Sequence, residues 1–191
     1  MLGELGLSLS LEETMARFTG CTLRQSVQLI AQLLGTHPPA DFVSRYGQRT
    51  RTALESELKS VPGVEDVLSG LRVPYCAASN GNRAKMRVTL GITGLLPRFE
   101  GRMYCAEDVE NPKPAPDLFL YAASRHGVQP SRCLVIEDTP GGIAAARAAG
   151  MAAFGYAALT PADRLAEAGA SIVFAAMHEL PALLASHERD A

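Results

Sequence analysis

The pattern of apolar residues changes character once along this chain, at Val61-Pro62-Gly63, and that change limits the folds open to it. Beyond it, short apolar runs alternate with helical patterns. Val73 to Ala78 leads into Ser79-Asn80-Gly81, and Arg83 to Leu90 follows at helical spacing. Met103-Tyr104-Cys105 is a weaker strand candidate, and Asp117 to His126 is helical. Cys133-Leu134-Val135-Ile136 is a strand that ends in Glu137-Asp138, and an alanine-rich helix from Ile143 to Ala149 is stopped by Gly150. Ala152 to Tyr156 and Ser171 to Phe174 are two further strands. Strands that are apolar along their whole length, separated by helices, predict a parallel sheet covered on both faces. Before the change the chain reads as helix only. Ser10 caps a short helix through Phe18, and Thr22 caps another with Leu23, Val27, Ile30 and Leu34 at helical spacing and Gly35 closing it. A third helix runs from about Pro39 to Lys59, with Phe42, Tyr46, Ala53 and Leu54 facing inward. The expectation is an α/β core over residues 61–191 carrying a helical domain over residues 1–60.

Composition narrows the function classes. A formal net charge of −2 with 20% charged residues gives no clustered basic surface of the kind nucleic acid requires. The longest apolar runs are far short of a membrane span, and the start, Met1-Leu2-Gly3-Glu4-Leu5, lacks the cationic and apolar regions of a signal peptide. Cys21, Cys76, Cys105 and Cys133 form no C-x-x-C pair, so reduced structural thiols are expected. These readings point to a cytoplasmic protein with neither nucleic acid nor membrane as partner; the oligomeric state is left open, with a monomer preferred.

In open parallel sheets, ligands bind beyond the carboxyl ends of the strands, and the polar residues of this chain fall there. Ser79, Asn80 and Gly81 precede a helix, where free N–H groups and the positive dipole end suit an anion; plain helix capping uses the same residue types. Lys113 lies between prolines in Asn111-Pro112-Lys113-Pro114-Ala115-Pro116-Asp117. It is either a fixed ammonium for a phosphate and an attacking carboxylate or a solvated turn lysine. Glu137 and Asp138 repel each other at a strand end unless a cation or donors relieve them. Such oxygen ligands suit Mg²⁺, although Pro140 at a first helical position would make Asp138 or Thr139 an N-cap. The Gly141-Gly142 pair is no dinucleotide fingerprint.

The order Ser79-Asn80, then Lys113-Pro114-Ala115-Pro116-Asp117-Leu118-Phe119, then Glu137-Asp138-Thr139 with Gly142-Ile143 and the run to Gly150-Met151 resembles the second, third and fourth motifs of the haloacid dehalogenase-like superfamily. It resembles most the branch with a helical cap, which includes sugar-phosphate phosphatases and β-phosphoglucomutase. The resemblance implies a Rossmann-like core and a helical-bundle cap. It also implies a Mg²⁺-dependent phosphatase that forms an aspartyl-phosphate from a small phosphorylated metabolite, such as a sugar or sugar-acid phosphate. Asp138 would hold Mg²⁺ with help from Glu137, Ser79 and the Asn80 amide would hold the phosphoryl oxygens, and Lys113 would offset charge. Arg24, in Thr19-Gly20-Cys21-Thr22-Leu23-Arg24, falls where the cap's specificity loop is expected and is a candidate substrate contact; it can equally be a surface helix residue.

The family's first motif, an Asp-x-Asp ending the first strand, supplies the nucleophile and the acid. No Asp-x-Asp occurs in these 191 residues. The resemblance places that strand at the sheet centre, between the strands that end at Ser79 and Glu137. Without it two strand edges face a gap with unpaired backbone groups, each costing on the order of 1–3 kcal/mol if buried. A start site placed too late, or a truncation, is therefore expected over an evolved loss. Two alternative functions fit the same residues: a phosphohexomutase, and a non-catalytic fragment that binds phosphate or metal. A magnesium-independent dehalogenase is disfavoured by the Glu137-Asp138 pair.

Overall fold

The computed structural model describes residues 1–190, with side chains through residue 187. Three helices open the chain: α1 (Leu11–Phe18), α2 (Leu23–Leu34) and α3 (Phe42–Glu57). Both expected caps form as reciprocal boxes. Ser10 accepts from Glu13 N while Glu13 accepts from Ser10 N, and Thr22 and Gln25 repeat the arrangement. Gly35 ends α2 in the left-handed region at φ +70°, where a side chain would be strained. On α3, Phe42 is buried as expected, but Tyr46 and Ala53 are exposed and Leu54 is only half-buried. Helix α3 therefore buries only Phe42 and leaves most of its length in solvent.

The remainder alternates. It runs α4 (Val64–Gly70), β1 (Ala77–Ser79), α5 (Arg83–Ile92), α6 (Leu96–Phe99), β2 (Met103–Cys105) and α7 (Asp117–His126). It continues through β3 (Leu134–Glu137), α8 (Pro140–Ala148), β4 (Ala152–Tyr156), α9 (Ala162–Glu167), β5 (Ile172–Phe174) and α10 (Leu180–Asp190). Helices α4, α6, α9 and α10 were not evident from periodicity. The expected strand from Val73 shrinks to Ala77–Ser79, because β2 offers only three residues to pair with, and Val73 is exposed.

Every strand pair is parallel, as the apolar runs required. The strands nevertheless form two ladders, β1-β2 and β3-β4-β5, with no ladder between β1 and β3. The interruption lies between the strand ending at Ser79 and the strand ending at Glu137. Helices hold the two ladders together on both faces. Helix α7 buries Leu118 and Ala122 with Tyr104 of β2, and Phe119 and Ala123 with Val135 of β3 and Ile143 of α8. On the other face, Val64 and Leu68 of α4 pack with Met103 and Cys105, while Val67 packs with Phe154 and Phe174. The layered α/β architecture with parallel strands is thus realised, and all strands point their carboxyl ends the same way within each ladder. All four cysteines are free thiols. Burial, with the neighbouring Cys133 adding to it, pushes the Cys76 thiol up to about 11, so it is held protonated as a small hydrophobe. No helix among the described residues is long and apolar enough to cross a membrane.

Candidate active site

The strand ends at Ser79 and Glu137 and the turn before α7 converge. Asn80 is the hinge of the arrangement. It is 7% exposed, and its carboxamide accepts from Lys113 N at 3.0 Å while donating to Lys113 O at 2.8 Å and to Gly20 O at 2.7 Å. The Lys113 main chain is thereby pinned to the end of β1. From it the side chain runs inward, 10% exposed, and Nζ donates to Ala78 O at 3.2 Å and to the Glu137 carboxylate. The ammonium also lies 5.2 Å from the centre of the Phe119 ring, a cation–π contact. Lys113 is therefore no solvated turn lysine. With three protons on Nζ and two protein acceptors, one proton remains for an incoming anion.

Glu137 is committed on both oxygens. One pairs with Lys113, and the other accepts from Thr139 Oγ1 at 3.0 Å. Thr139 in turn accepts from Gly142 N at 3.0 Å and caps α8. A Cβ built on Gly142 would run into the Glu137 carboxylate, so a glycine at this position is what lets the helix start so close to a buried acid. Neither Thr139's bond to Glu137 nor this role of Gly142 was anticipated. The signal available was Thr139 and Gly142 three residues apart, the spacing of a hydroxyl cap and its donor.

Asp138 differs. Thr139, not Asp138, is the cap, and the Asp138 main chain is fixed instead by Thr160 Oγ1, which donates to Asp138 O at 2.6 Å. The residue stays open to solvent at the strand end. Desolvation of its carboxyl, reinforced by the charge of Glu137, raises its pKa from the ordinary aspartate value, with its own N–H and the charge of Lys113 acting the other way. A carboxylate at an accessible strand end beside a second acid fits a divalent cation that takes one or two protein carboxylates and keeps its waters. Glu137, with both oxygens engaged by the protein, fits an outer role. Among the described residues no group of three acidic, histidine or cysteine side chains that could hold a metal ion is found.

Ser79 also loses its alternative reading. Asn82 caps α5, accepting from Lys85 N at 2.8 Å, so neither Ser79 nor Asn80 is the helix cap. The Ser79 hydroxyl accepts from Gly81 N at 3.0 Å and retains its own proton for a ligand. Ser79, Asn80, Lys113, Glu137 and Asp138 are thus brought to one place. Arg24 is not directly among them in the hydrogen-bond network: it sits exposed in the first turn of α2. The neighbouring turn does reach the site, however. Gly20 accepts from Asn80, and a Cβ at Gly20 would lie 3.6 Å from the Thr139 side chain.

The sequence pattern of the haloacid dehalogenase-like hydrolases matches residues 13–150 of this chain. The chain belongs to that family. Among curated relatives, the fructose-1-phosphate phosphatase of Escherichia coli is 33% identical over 152 residues, covering 79% of this chain and 80% of that protein. The 6-phosphogluconate phosphatase of the same organism is 28% identical over 159 residues, covering 83% and 72%. Among solved structures, a haloacid dehalogenase-like protein of unknown function from Agrobacterium tumefaciens superposes with a TM-score of 0.82 at 35% identity, over 98% of this chain and 87% of that one. A family hydrolase from Deinococcus radiodurans with bound phosphate and sodium superposes at 0.75 and 33% identity, over 97% and 84%. This chain is an α/β haloacid dehalogenase-like hydrolase.

Proposed function

We propose that this hydrolase is a Mg²⁺-dependent phosphatase of small sugar or sugar-acid phosphates, working through an aspartyl-phosphate. The observation that carries the proposal is that Lys113, pinned through its main chain to Asn80 at the end of β1 beside Ser79, reaches with its ammonium to Glu137 at the end of β3, next to the exposed Asp138. Such a pocket suits a doubly negative group. The names of the Escherichia coli relatives, phosphatases of fructose 1-phosphate and 6-phosphogluconate, support the substrate class.

In this reading Ser79 Oγ–H and the Asn80 N–H donate to the transferring phosphoryl oxygens. The third Lys113 proton bridges phosphate and nucleophile, while Glu137 holds the ammonium in place. Phosphoryl transfer depends chiefly on such positioning and charge compensation. Asp138 would hold the magnesium ion, which when bound offsets phosphoryl charge. The attacking aspartate and the acid that protonates the leaving group would come from an Asp-x-Asp strand seated between β1 and β3, which these 191 residues do not include. Residues 1–60 would act as a cap that excludes water from the pocket, with Arg24 as a substrate contact at its rim.

The test is release of phosphate from p-nitrophenyl phosphate with and without Mg²⁺. Two forms are compared: the 191-residue chain, and a form lengthened by whatever the upstream coding sequence supplies. Mg²⁺-dependent turnover is expected only when an Asp-x-Asp strand is present. Turnover by the 191-residue chain would defeat the assignment of the nucleophile. In the active form Asp138→Asn is expected to lose most activity and Mg²⁺ affinity, and an unchanged rate would refute the ligand role.

A further inference from the structure

We propose that Asn80 is a positioning residue whose carboxamide fastens the turn between α1 and α2 to the Lys113 loop. Closure of the helical region over the pocket and placement of the Lys113 main chain are then one event. The link to turnover rests on the phosphatase reading; the fastening itself does not.

A primary amide offers two donors and a carbonyl. Asn80 uses both functions on main-chain partners 33 and 60 residues away, in two separate segments. Its bonds to Lys113 N and Lys113 O seize both polar groups of one residue, which fixes the backbone from which the ammonium projects. Its bond to Gly20 O is different in kind, because it crosses to the helical region. Gly20 stands at φ +81° in that turn and rests against Thr139, so the turn touches both strand ends that build the pocket. With these partners the Asn80 side chain has no spare donor for a substrate. Only its backbone N–H remains for that task. The other two asparagines of the chain do local work: Asn82 caps α5, and Asn111 donates to Asp117 at 2.9 Å.

Aspartate has the shape of asparagine but no donor, so Asn80→Asp would set a carboxylate against two carbonyl oxygens. Opening the turn breaks a bond on the same side chain that fixes Lys113. Access to the pocket and the setting of the lysine are coupled for that reason, without any moving part between them.

Cys21, next to Gly20, is a natural reporter. It is half-buried, and burial pushes its thiol up, so opening the turn exposes and acidifies it. Cys133, half-buried just before β3, is the internal control for general loosening. Iodoacetamide labelling of the 191-residue chain, followed by peptide mass spectrometry, needs no turnover. In Asn80→Asp and Asn80→Ala the Cys21-to-Cys133 labelling ratio is expected to rise about tenfold, the shift that one to two lost net hydrogen bonds give. Inorganic phosphate is expected to protect Cys21 in the original chain and not in Asn80→Asp, a response that a merely structural asparagine would not control. An unchanged ratio in either folded variant overturns the proposal. If both variants fail to fold, the original chain decides. The Asn80 side-chain amide protons should then exchange with solvent at least about tenfold more slowly than those of exposed Asn82. Equal rates overturn the fastening. Absence of phosphate protection in the original chain alongside a raised ratio in the variants would count against the phosphatase reading while upholding the fastening.

Discussion

Glu107-Asp108 and Glu137-Asp138 are the same dipeptide in the same kind of place, just beyond or at the end of a parallel strand. In the first, every charge is absorbed locally. Arg83 donates to both Asp108 oxygens at 2.5 and 2.7 Å and to Met103 O at 2.9 Å. Cys105 N adds a bond to Asp108 at 2.8 Å, and Arg83 N donates to Glu107 at 3.1 Å. Burial alone would push the Asp108 pKa up. The Cys105 N–H and the Arg83 guanidinium outweigh it and hold Asp108 below its ordinary value. In the second doublet Glu137 is absorbed by Lys113 and Thr139, but Asp138 is left with its pKa raised. The lesson is that one dipeptide can have its aspartate held by an arginine and a backbone N–H in one turn and left with a raised pKa in another, so the pair alone does not say which charge the fold balances.

The largest effect should come from the buried pair that underlies the second doublet. Lys113 and Glu137 side chains are 10% and 8% exposed. Lys113→Ala leaves the buried Glu137 carboxylate as an unmatched charge and is expected to cost about 3–5 kcal/mol in urea unfolding. Lys113→Met combined with Glu137→Leu should recover most of that loss, because the desolvation of both ions disappears together. A double variant no more stable than Lys113→Ala would break the claim that unpaired charge, not lost packing, sets the cost.

The corresponding cut in the first doublet should be much smaller. Arg83 is 44% exposed while Asp108 is 17% exposed, so water and salt screen their attraction. Arg83→Ala is expected to cost about 1 kcal/mol, less at high salt. Its sign with pH follows from a lowered carboxylate pKa. The stability it contributes is present above the ordinary aspartate value and is lost as the pH falls through the lowered folded value. Arg83→Ala should therefore flatten the acid limb of the stability profile, and an unaltered limb would show that Asp108 draws its stabilisation from Cys105 N–H instead.

How far the sequence reveals this contrast depends on the range of the forces involved. The caps at Ser10 and Thr22 were legible because their partners lie three residues away. So was the parallel character of the strands, because burial on both faces leaves apolar runs. Tyr46 misled because helical spacing locates a face without saying how much of it is covered. Helices α4 and α9 were missed because seven and six residues carry too little periodicity to stand out. At the site, residue types and order brought Ser79, Lys113 and the acidic doublet into view. The three bonds of the Asn80 carboxamide were invisible, since they depend on main-chain groups that any residue would present. Glu137's commitment to Thr139 and Lys113 was likewise hidden, although it decides which acid of the doublet stays open.

Asp138 gives the smallest and most discriminating effect. Its raised pKa means that the folded chain binds a proton more tightly than the unfolded chain does. Stability linked to that proton is fully present below the ordinary aspartate value and is lost as the pH rises through the raised folded value. This is opposite in sign to Asp108. Without added metal, Asp138→Asn should raise the melting temperature slightly at neutral pH, and the difference should close as the pH falls toward the ordinary aspartate value. Added Mg²⁺ should raise the melting temperature of the original chain and leave Asp138→Asn unmoved, since binding to the folded state alone is what stabilises. A variant that melts lower at neutral pH would mean that Asp138 is balanced by the protein after all, and the two doublets would then differ in nothing that bears on a metal.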